Sequence, residues 1–438
     1  MREDIRNRLR RSLGWSVSLS VALIIPLYLW LRLPELIGEV STLRHGLTVV
    51  AKVGAFTGFA SFMWSLVLGA RLKSIDKLFL GLDKAYKAHR IFGSYSFIAI
   101  AVHAVAITAA IAMSAPLGAL RMWVPGVDAV VTWGVIAFLG MAALLTATVL
   151  YKLPYQTFLT VHRLLGLLLV PAALHTFLAS GHLLDNPALR RYMLIVTFIG
   201  ALSYLYHSVL GEWLTKKYPY RVEAVNHLGE DITEIILQPS WHPVSFRPGQ
   251  FGYLSMRDAA VQREAHPFSF SSSRHDRQLG FVVKNLGDYT AKIGEVHPGV
   301  RAIVDGPYGN FSYLNSTSRR QIWIAGGIGI TPFLSMVRSF PDKLRYDIDF
   351  FYCTKSDTDA LFHTELTAVA KRHAGFRMHH ICEEREGFMN LELLQQRADI
   401  QAAAIFICGP PPMLNGLRKQ FVAAGIDEDR LHYEEFSF

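Results

Sequence analysis

The chain has 438 residues, 51% of them apolar and 18% charged, with a formal net charge of +9. An ordinary soluble domain carries about 25% charged residues, so a wholly soluble or disordered chain is excluded, and at about 150 residues per domain the length suggests two or three units. The charge does not point to nucleic acid, because the basic residues flanking the apolar runs collect in connections of one parity, which is a membrane-orientation signal.

Runs long enough to cross about 30 Å of hydrocarbon are predicted near Leu13 to Leu31, Leu47 to Leu68, Ile91 to Ala112, Val127 to Leu150, Leu159 to Leu178 and Met193 to Leu210. Six spans put both termini on one side of the bilayer. That side carries Arg2, Arg6, Arg8, Arg10 and Arg11, then Arg71, Lys73, Lys77, Lys84, Lys87 and Arg90, then Lys152, Lys216 and Lys217. The other has Arg32, Arg44, Arg121, Arg190 and Arg191. The bias predicts an integral membrane protein with cytoplasmic termini, as in a bacterial inner membrane. The first run follows a basic arm as a signal peptide would, but no small-residue cleavage site closes it before Pro34, so it is expected to be retained.

Ionisable residues inside a span are costly and mark function. His89 and His103 fall on the third span, at its cytoplasmic edge and within it, and His162 and His175 on the fifth. Fourteen residues at about 1.5 Å and 100° each place the first pair about 21 Å apart and within about 40° of one face. The second pair, thirteen apart, is about 140° out of phase on an ideal helix, with Pro171 between them as a source of a kink. The two spans run the same way, so His89 and His162 share one level and His103 and His175 another. Two imidazoles at each level suit a six-coordinate haem iron that transfers electrons without an open site. Zinc would need a closed tetrahedral set, which the levels do not supply. The alternative is structural histidines hydrogen-bonded to neighbouring helices. His45, His182 and His207 lie near span ends and are left out of the ligand set.

From Tyr220 the pattern changes to short alternating runs, Arg221 to Ala224, Ile232 to Leu237, Phe251 to Leu254 and Leu279 to Val283, broken by Pro and Gly. They predict a small antiparallel barrel. Beyond Gln321, a strand at Ile322 to Ala325, a helix at Phe333 to Arg338, and strands at Tyr346 to Tyr352 and Ala404 to Cys408 predict a βαβ series on a parallel sheet. The first of these strands runs into Gly326-Gly327-Ile328-Gly329-Ile330-Thr331-Pro332, whose glycines let backbone N–H groups approach a pyrophosphate at a helix start. The third glycine of G-x-G-x-x-G is missing. Cys408-Gly409-Pro410 makes a second turn at the carboxyl edge, where doubly wound sheets bind ligands. Cys353, Cys382 and Cys408 form no C-x-x-C pair and fit a reducing compartment.

His266-Pro267-Phe268-Ser269, Gly306-Pro307-Tyr308-Gly309, Gly327-x-Gly329-x-Thr331-Pro332 and Cys408-Gly409-Pro410 occur in the order seen in ferredoxin-NADP reductase-type flavoproteins. Behind six spans with this histidine arrangement, the whole chain resembles the ferric reductase and NADPH oxidase superfamily. The resemblance implies a six-helix transmembrane haem domain over 1–215, an antiparallel β-barrel FAD domain over 216–316 and an α/β NAD(P)-binding domain over 317–438. It implies two b-type haems on His89, His103, His162 and His175. FAD would be lined by His266, Pro267, Phe268 and Ser269, with Ser269 near the reactive nitrogen, and contacted by Arg247, Gly287 and Thr290. Many soluble relatives have arginine where this chain has His266. NADPH or NADH would be bound by Gly327, Gly329, Thr331, Pro332, Cys408, Gly409 and Pro410, with Lys355 as the partner of a 2′-phosphate. Phe438 would cover the flavin and move aside for the nicotinamide, and Cys408 would sit beside it; an apolar terminal plug is the alternative for Phe438.

The activity implied is transmembrane electron transfer from cytoplasmic NAD(P)H through FAD and the haems to O2 or an Fe(III) complex, the acceptor being left open. The readings set against it are a nucleotide-regulated transport or sensor protein with structural histidines, and an anchored reductase serving a cytoplasmic partner. Asn310-Phe311-Ser312 and Asn315-Ser316-Thr317 match the N-glycosylation pattern but lie in the half assigned to the cytoplasm, where they would stay unmodified.

Overall fold

The computed structural model describes residues 12–31, 42–151, 153, 155–179, 186–211, 217–258, 261 and 264–434. The chain forms two compact units, one within Leu9–Leu214 and the other within Thr215–Phe438.

Among the described residues the first unit holds six helices long and apolar enough to cross a membrane: Ser12–Leu31, Leu43–Gly69, Lys84–Ala112, Ala129–Leu150, Thr157–Ala179 and Pro187–Val209. All six predicted spans are found. The third begins earlier than its apolar run, because the helix continues through Lys84, Lys87 and Arg90 as part of Leu82–Ala112. His89 therefore lies two turns inside this helix. Between lipid-embedded helices the attraction comes from close packing, so small residues line the contacts. A Cβ on Gly54 would lie 2.6 Å from the Ala99 carbonyl, and one on Gly58 2.9 Å from Ile100 Cγ1, so the second and third spans approach backbone to backbone. The Ser96 hydroxyl donates to the Gly58 carbonyl and the Tyr95 hydroxyl to Thr57 Oγ1, each at 2.9 Å. Large apolar side chains such as Ile98, Val105 and Phe198 face outward, as a lipid-facing surface requires.

The fifth span is not one continuous α-helix. Tyr155–Leu164 is α-helical, Leu165–Leu168 is 3₁₀, and Leu169–Ala179 is α-helical again. Pro171 has no N–H for the Leu167 carbonyl one turn back, and the tighter winding falls in that turn. A 3₁₀ turn advances about 120° per residue against 100°. Four such residues add about 80° and reduce the expected 140° mismatch between His162 and His175 to about 60°.

The second unit opens with strands β1 (Lys217–His227), β2 (Ile232–Pro239), β3 (Phe251–Met256), β4 (His266–Ser269), β5 (Leu279–Lys284) and β6 (Arg301–Tyr308). They form one antiparallel sheet in the order β4-β3-β6-β1-β2-β5. A bridge between Phe270 and Phe281 draws the two edges together into a nearly closed barrel. Leu237, Leu254, Phe270, Phe281 and Val304 fill it. Of these strands, β4 and β6 escaped the sequence pattern; β4 is too short for alternation to register.

Five parallel strands follow: β7 (Arg320–Gly326), β8 (Asp347–Thr354), β9 (Phe376–Cys382), β10 (Ala404–Cys408) and β11 (Leu431–Glu434), in the order β11-β10-β7-β8-β9. Both faces are covered, so the central strands β7 and β10 read as apolar runs over 322–326 and Ala404–Cys408. Trp323, Phe350 and Phe406 pack on one face with Phe333, and Ile322, Ile324, Phe351 and Ile405 on the other with Leu417 and Phe421. Trp323 is fully buried, its ring near those of Phe333, Phe350, Phe376 and Phe406, and its N–H donates to Gln321 Oε1 at 2.9 Å. Trp323→Ala is expected to destabilise this unit by about 3–5 kcal/mol, read from denaturant unfolding of the full-length protein in detergent; a loss under about 1 kcal/mol would contradict this account of the core.

Candidate functional site

In the membrane unit the four histidines of the third and fifth spans come together as two pairs. The His89 and His162 ring centroids are 5.8 Å apart, and those of His103 and His175 are 6.2 Å apart. A metal–imidazole bond is about 2 Å, so two imidazoles on opposite sides of one metal hold their ring centres about 6 Å apart. Three rings are fixed by backbone. His89 Nδ1 lies 2.8 Å from the Ser65 carbonyl, His103 Nδ1 2.9 Å from that of Ala51, and His175 Nδ1 3.0 Å from that of Val130. A carbonyl only accepts, so Nδ1 carries the proton and Nε2 of the neutral ring keeps the lone pair a metal needs. His162 is held by its stack on Phe158, centroids 5.4 Å apart and planes at 14°.

Two glycines that sequence reasoning passed over make room for these rings. A Cβ on Gly134 would lie 2.7 Å from His175 Nδ1, and one on Gly69 would lie 3.2 Å from His89 Nδ1. A glycine inside a long apolar helix was the available signal. The His103 and His175 rings line an apolar cleft of about 760 Å³, counted with its open mouth, alongside Ala55, Phe138, Met141 and Trp123. Among the described residues no group of three or more His, Cys, Asp or Glu forms a metal cage. Donors in twos, three of them with Nδ1 on a carbonyl and so an Nε2 lone pair to give, and an apolar cleft fit haem.

In the soluble unit β4 is an edge strand paired with β3, which sets Ser269 opposite Phe251 and His266 opposite Leu254. Ser269 is buried and Pro267 and Phe268 are half-buried. The His266 ring lies 4.0 Å from that of Tyr289, and its Nε2 is 2.8 Å from Glu264 Oε2. The buried Tyr289 hydroxyl has no hydrogen-bond partner among the described residues, and burial, then the charge of Glu264, push its pKa well up. An orphaned donor beside His266 fits a bound flavin, whose phosphates and ring offer acceptors. Glu264 was not selected from the sequence, and Tyr289 stood there only as part of the segment Gly287-Asp288-Tyr289-Thr290, similar to the family's pyrophosphate-contacting one.

Arg247 stands at the turn before β3, its guanidinium donating to Asn315 Oδ1 at 2.7 Å. The turn needs Gly249, at φ +94°, where a Cβ would lie 2.0 Å from the Phe311 carbonyl. Thr290 Oγ1 accepts the N–H groups of Leu286 and Gly287, each at 2.9 Å, so Gly287 and Thr290 close their own turn.

At the carboxyl edge of the parallel sheet the two predicted turns meet. β7 and β10 are neighbours with Ala325 beside Cys408, and a Cβ on Gly329 would lie 2.3 Å from the Cys408 carbonyl. A Cβ on Gly409 would lie 3.2 Å from the Gly326 Cα and N. Gly327, at φ +54°, is exposed and nothing lies within 4 Å of where its Cβ would be. Thr331 and Pro332 begin the helix Thr331–Arg338, with Thr331 Oγ1 donating to the Ile328 carbonyl at 2.8 Å. Pro410 precedes the helix Pro411–Ala423. Lys355 stands exposed past the end of β8. The position of Phe438 lies outside the described residues.

Cys408 is fully buried, its side chain in the apolar cluster around Phe333 and Phe406. Burial, with Glu434 nearby, pushes its thiol well above the ordinary range, and Cys353 is pushed up to about 12. The thiolate is the reactive form and appears only as pH rises through these values. Neither cysteine should take up iodoacetamide in the native protein at pH 8, and both should do so after unfolding, with peptide mass spectrometry as the readout; rapid native labelling of Cys408 would show that its burial is wrong.

Residues 55–173 match the family described as ferric reductase like transmembrane component, 218–312 an FAD-binding domain, and 323–419 an oxidoreductase NAD-binding domain. The chain is 32% identical over 211 residues to the glycine betaine monooxygenase reductase subunit of Pseudomonas aeruginosa, covering 44% of this chain and 56% of that one. It is 32% identical over 181 residues to NADH-cytochrome b5 reductase 1 of Mycosarcoma maydis, covering 37% and 55%. The chain thus spans little more than half the length of these curated relatives. A flavohemoglobin from Malassezia yamatoensis, solved with FAD and heme, matches with a TM-score of 0.50 at 17% identity, over 89% of this chain and 96% of that one. That likeness speaks to fold alone.

Proposed function

We propose a function from the premise that this chain belongs to the ferric reductase-like transmembrane reductases that carry ferredoxin reductase-type FAD and NAD(P) domains. It is an NAD(P)H-dependent transmembrane oxidoreductase, with FAD and two b-type haems as resident carriers, that delivers electrons to an extracytoplasmic acceptor, O2 or an Fe(III) complex. The observation that carries the reading is the pairing of four histidines at two depths, 5.8 and 6.2 Å between ring centres. A transport or sensor protein with structural histidines has no reason to bring four imidazoles together in two pairs.

His89 and His162 would hold one haem, and His103 and His175 the other. Haem bound by two imidazoles supplies one-electron transfer with no open coordination position, and bound FAD supplies the conversion of a two-electron donor into single-electron steps. The residues of this chain orient and exclude. The Ser65, Ala51 and Val130 carbonyls lock three imidazoles in one tautomer, while Gly69 and Gly134 leave the rings their space. His266, Pro267, Phe268, Ser269, Arg247, Gly287 and Thr290 are the proposed flavin contacts, and Gly327, Gly329, Thr331, Pro332, Gly409 and Pro410 the nucleotide contacts. Cys408 contributes its backbone at the crevice. Lys355 supports NADPH through the 2′-phosphate, while the name of the cytochrome b5 reductase relative speaks for NADH. The proposed domains divide at 215/216 and 316/317. The parity of basic residues supports cytoplasmic termini in a bacterial inner membrane.

Haem stoichiometry tests the reading. Purified wild type is expected to carry two haems per flavin, with His103→Ala and His89→Ala each losing about half the low-spin absorbance and keeping FAD. A wild-type spectrum of flavin without haem would return the histidines to a structural role.

A further inference from the structure

The helix Thr331–Arg338 begins at the glycine turn proposed to face the nucleotide and ends at Arg338, where the carbonyl end of the helix favours a cation. The guanidinium grips in several directions. Its Nε and Nη2 donate to the two carboxylate oxygens of Glu365, at 2.7 and 2.9 Å, in a fork–fork pair. Its Nη1 donates to the Ser271 carbonyl at 3.0 Å and lies 3.8 Å from Glu234 Oε1 on β2. Ser271 is two residues beyond Ser269, in the segment proposed to line the flavin. The next residue strengthens the join: Ser339 Oγ accepts the N–H of Arg274 at 2.9 Å and lies 3.4 Å from Ser273 Oγ. The arginine side chain is only 25% exposed and that of Glu234 only 16%, so the grip is partly desolvated and directional.

We infer that Arg338 is a positioning residue for hydride transfer: by tying the far end of the nucleotide helix to the stretch that directly follows the flavin-lining residues, it sets the approach of the nicotinamide to the flavin. The inference rests on the proposed NAD(P)H-to-FAD activity. In that step a C–H bond of the dihydronicotinamide breaks with both electrons, leaving the oxidised nicotinamide cation. The same hydride forms a bond to the flavin ring, which is reduced by two electrons. Misplacement of about 1 Å is enough to cost up to a hundredfold in such a step, and nothing in Arg338 needs to touch either partner.

Anaerobic stopped-flow bleaching of the flavin in the full-length, FAD-loaded protein tests this. Arg338→Gln is expected to slow bleaching by on the order of tenfold to a hundredfold with little change in the NAD(P)H concentration for half-saturation. The isotope effect with deuterated NAD(P)H should rise as hydride transfer becomes limiting. Arg338→Lys keeps the charge without the fork and should fall between. If the glutamine variant loses FAD, Glu365→Gln decides, since it removes the fork but leaves the bond to Ser271; it should slow bleaching in the same direction and less. Unchanged bleaching, or a rate loss matched by weaker nucleotide binding, overturns the inference. A wild type whose flavin NAD(P)H does not bleach overturns the proposed function instead.

Discussion

The membrane unit depends on a hydrogen bond that each of three imidazoles makes to a carbonyl of a neighbouring helix: His89 to Ser65, His103 to Ala51 and His175 to Val130. Such carbonyls already belong to a helix ladder, but each has a second lone pair. The bond chooses the tautomer, fixes the ring and leaves the Nε2 lone pair available. It also demands that helices come close, which explains glycine where the rings pass. Placing four neutral imidazoles in hydrocarbon is expensive unless they are satisfied, and the backbone satisfies one nitrogen of three of them.

The soluble unit obeys a constraint of a different kind, the close approach of backbone at the carboxyl edge of its parallel sheet. A Cβ on Gly329 would strike the Cys408 carbonyl at 2.3 Å, so the first turn cannot take a side chain there, and one on Gly409 would press on Gly326 at 3.2 Å. The core beneath, built on Trp323, holds β7 and β10 in the register that brings the turns together. This is why a pattern lacking the third glycine of the dinucleotide fingerprint still makes a crevice: its helix start is packed through Cys408 and Gly409 instead.

Much of this was legible in the sequence because it rests on periodicity and punctuation. Six apolar runs, a switch to alternation at Tyr220 and a glycine turn after a buried strand each follow from local rules. What was not legible was what needs three dimensions. The phase of His162 and His175 looked wrong because an ideal helix was assumed; the 3₁₀ turn Leu165–Leu168 corrects most of it. Charges at Lys84, Lys87 and Arg90 hid the true start of the third span. Glu264 and Arg338 carry no motif of their own, and Tyr289 sits in a segment chosen for its neighbours Gly287 and Thr290. Only contact reveals them, Tyr289 by a hydroxyl without a partner and Arg338 by a grip reaching three separate segments.

The central claim is that the two histidine pairs make an electron path across the membrane. Its most direct test is sealed proteoliposomes loaded with ferricyanide, with NADPH or NADH added outside and FAD-loaded protein in the wall. The account predicts bleaching of the enclosed ferricyanide by wild type, and by His103→Ala reduction of the flavin with none of the enclosed oxidant. Flavin reduction without transfer in the wild type, or equal transfer in the mutant, would contradict it.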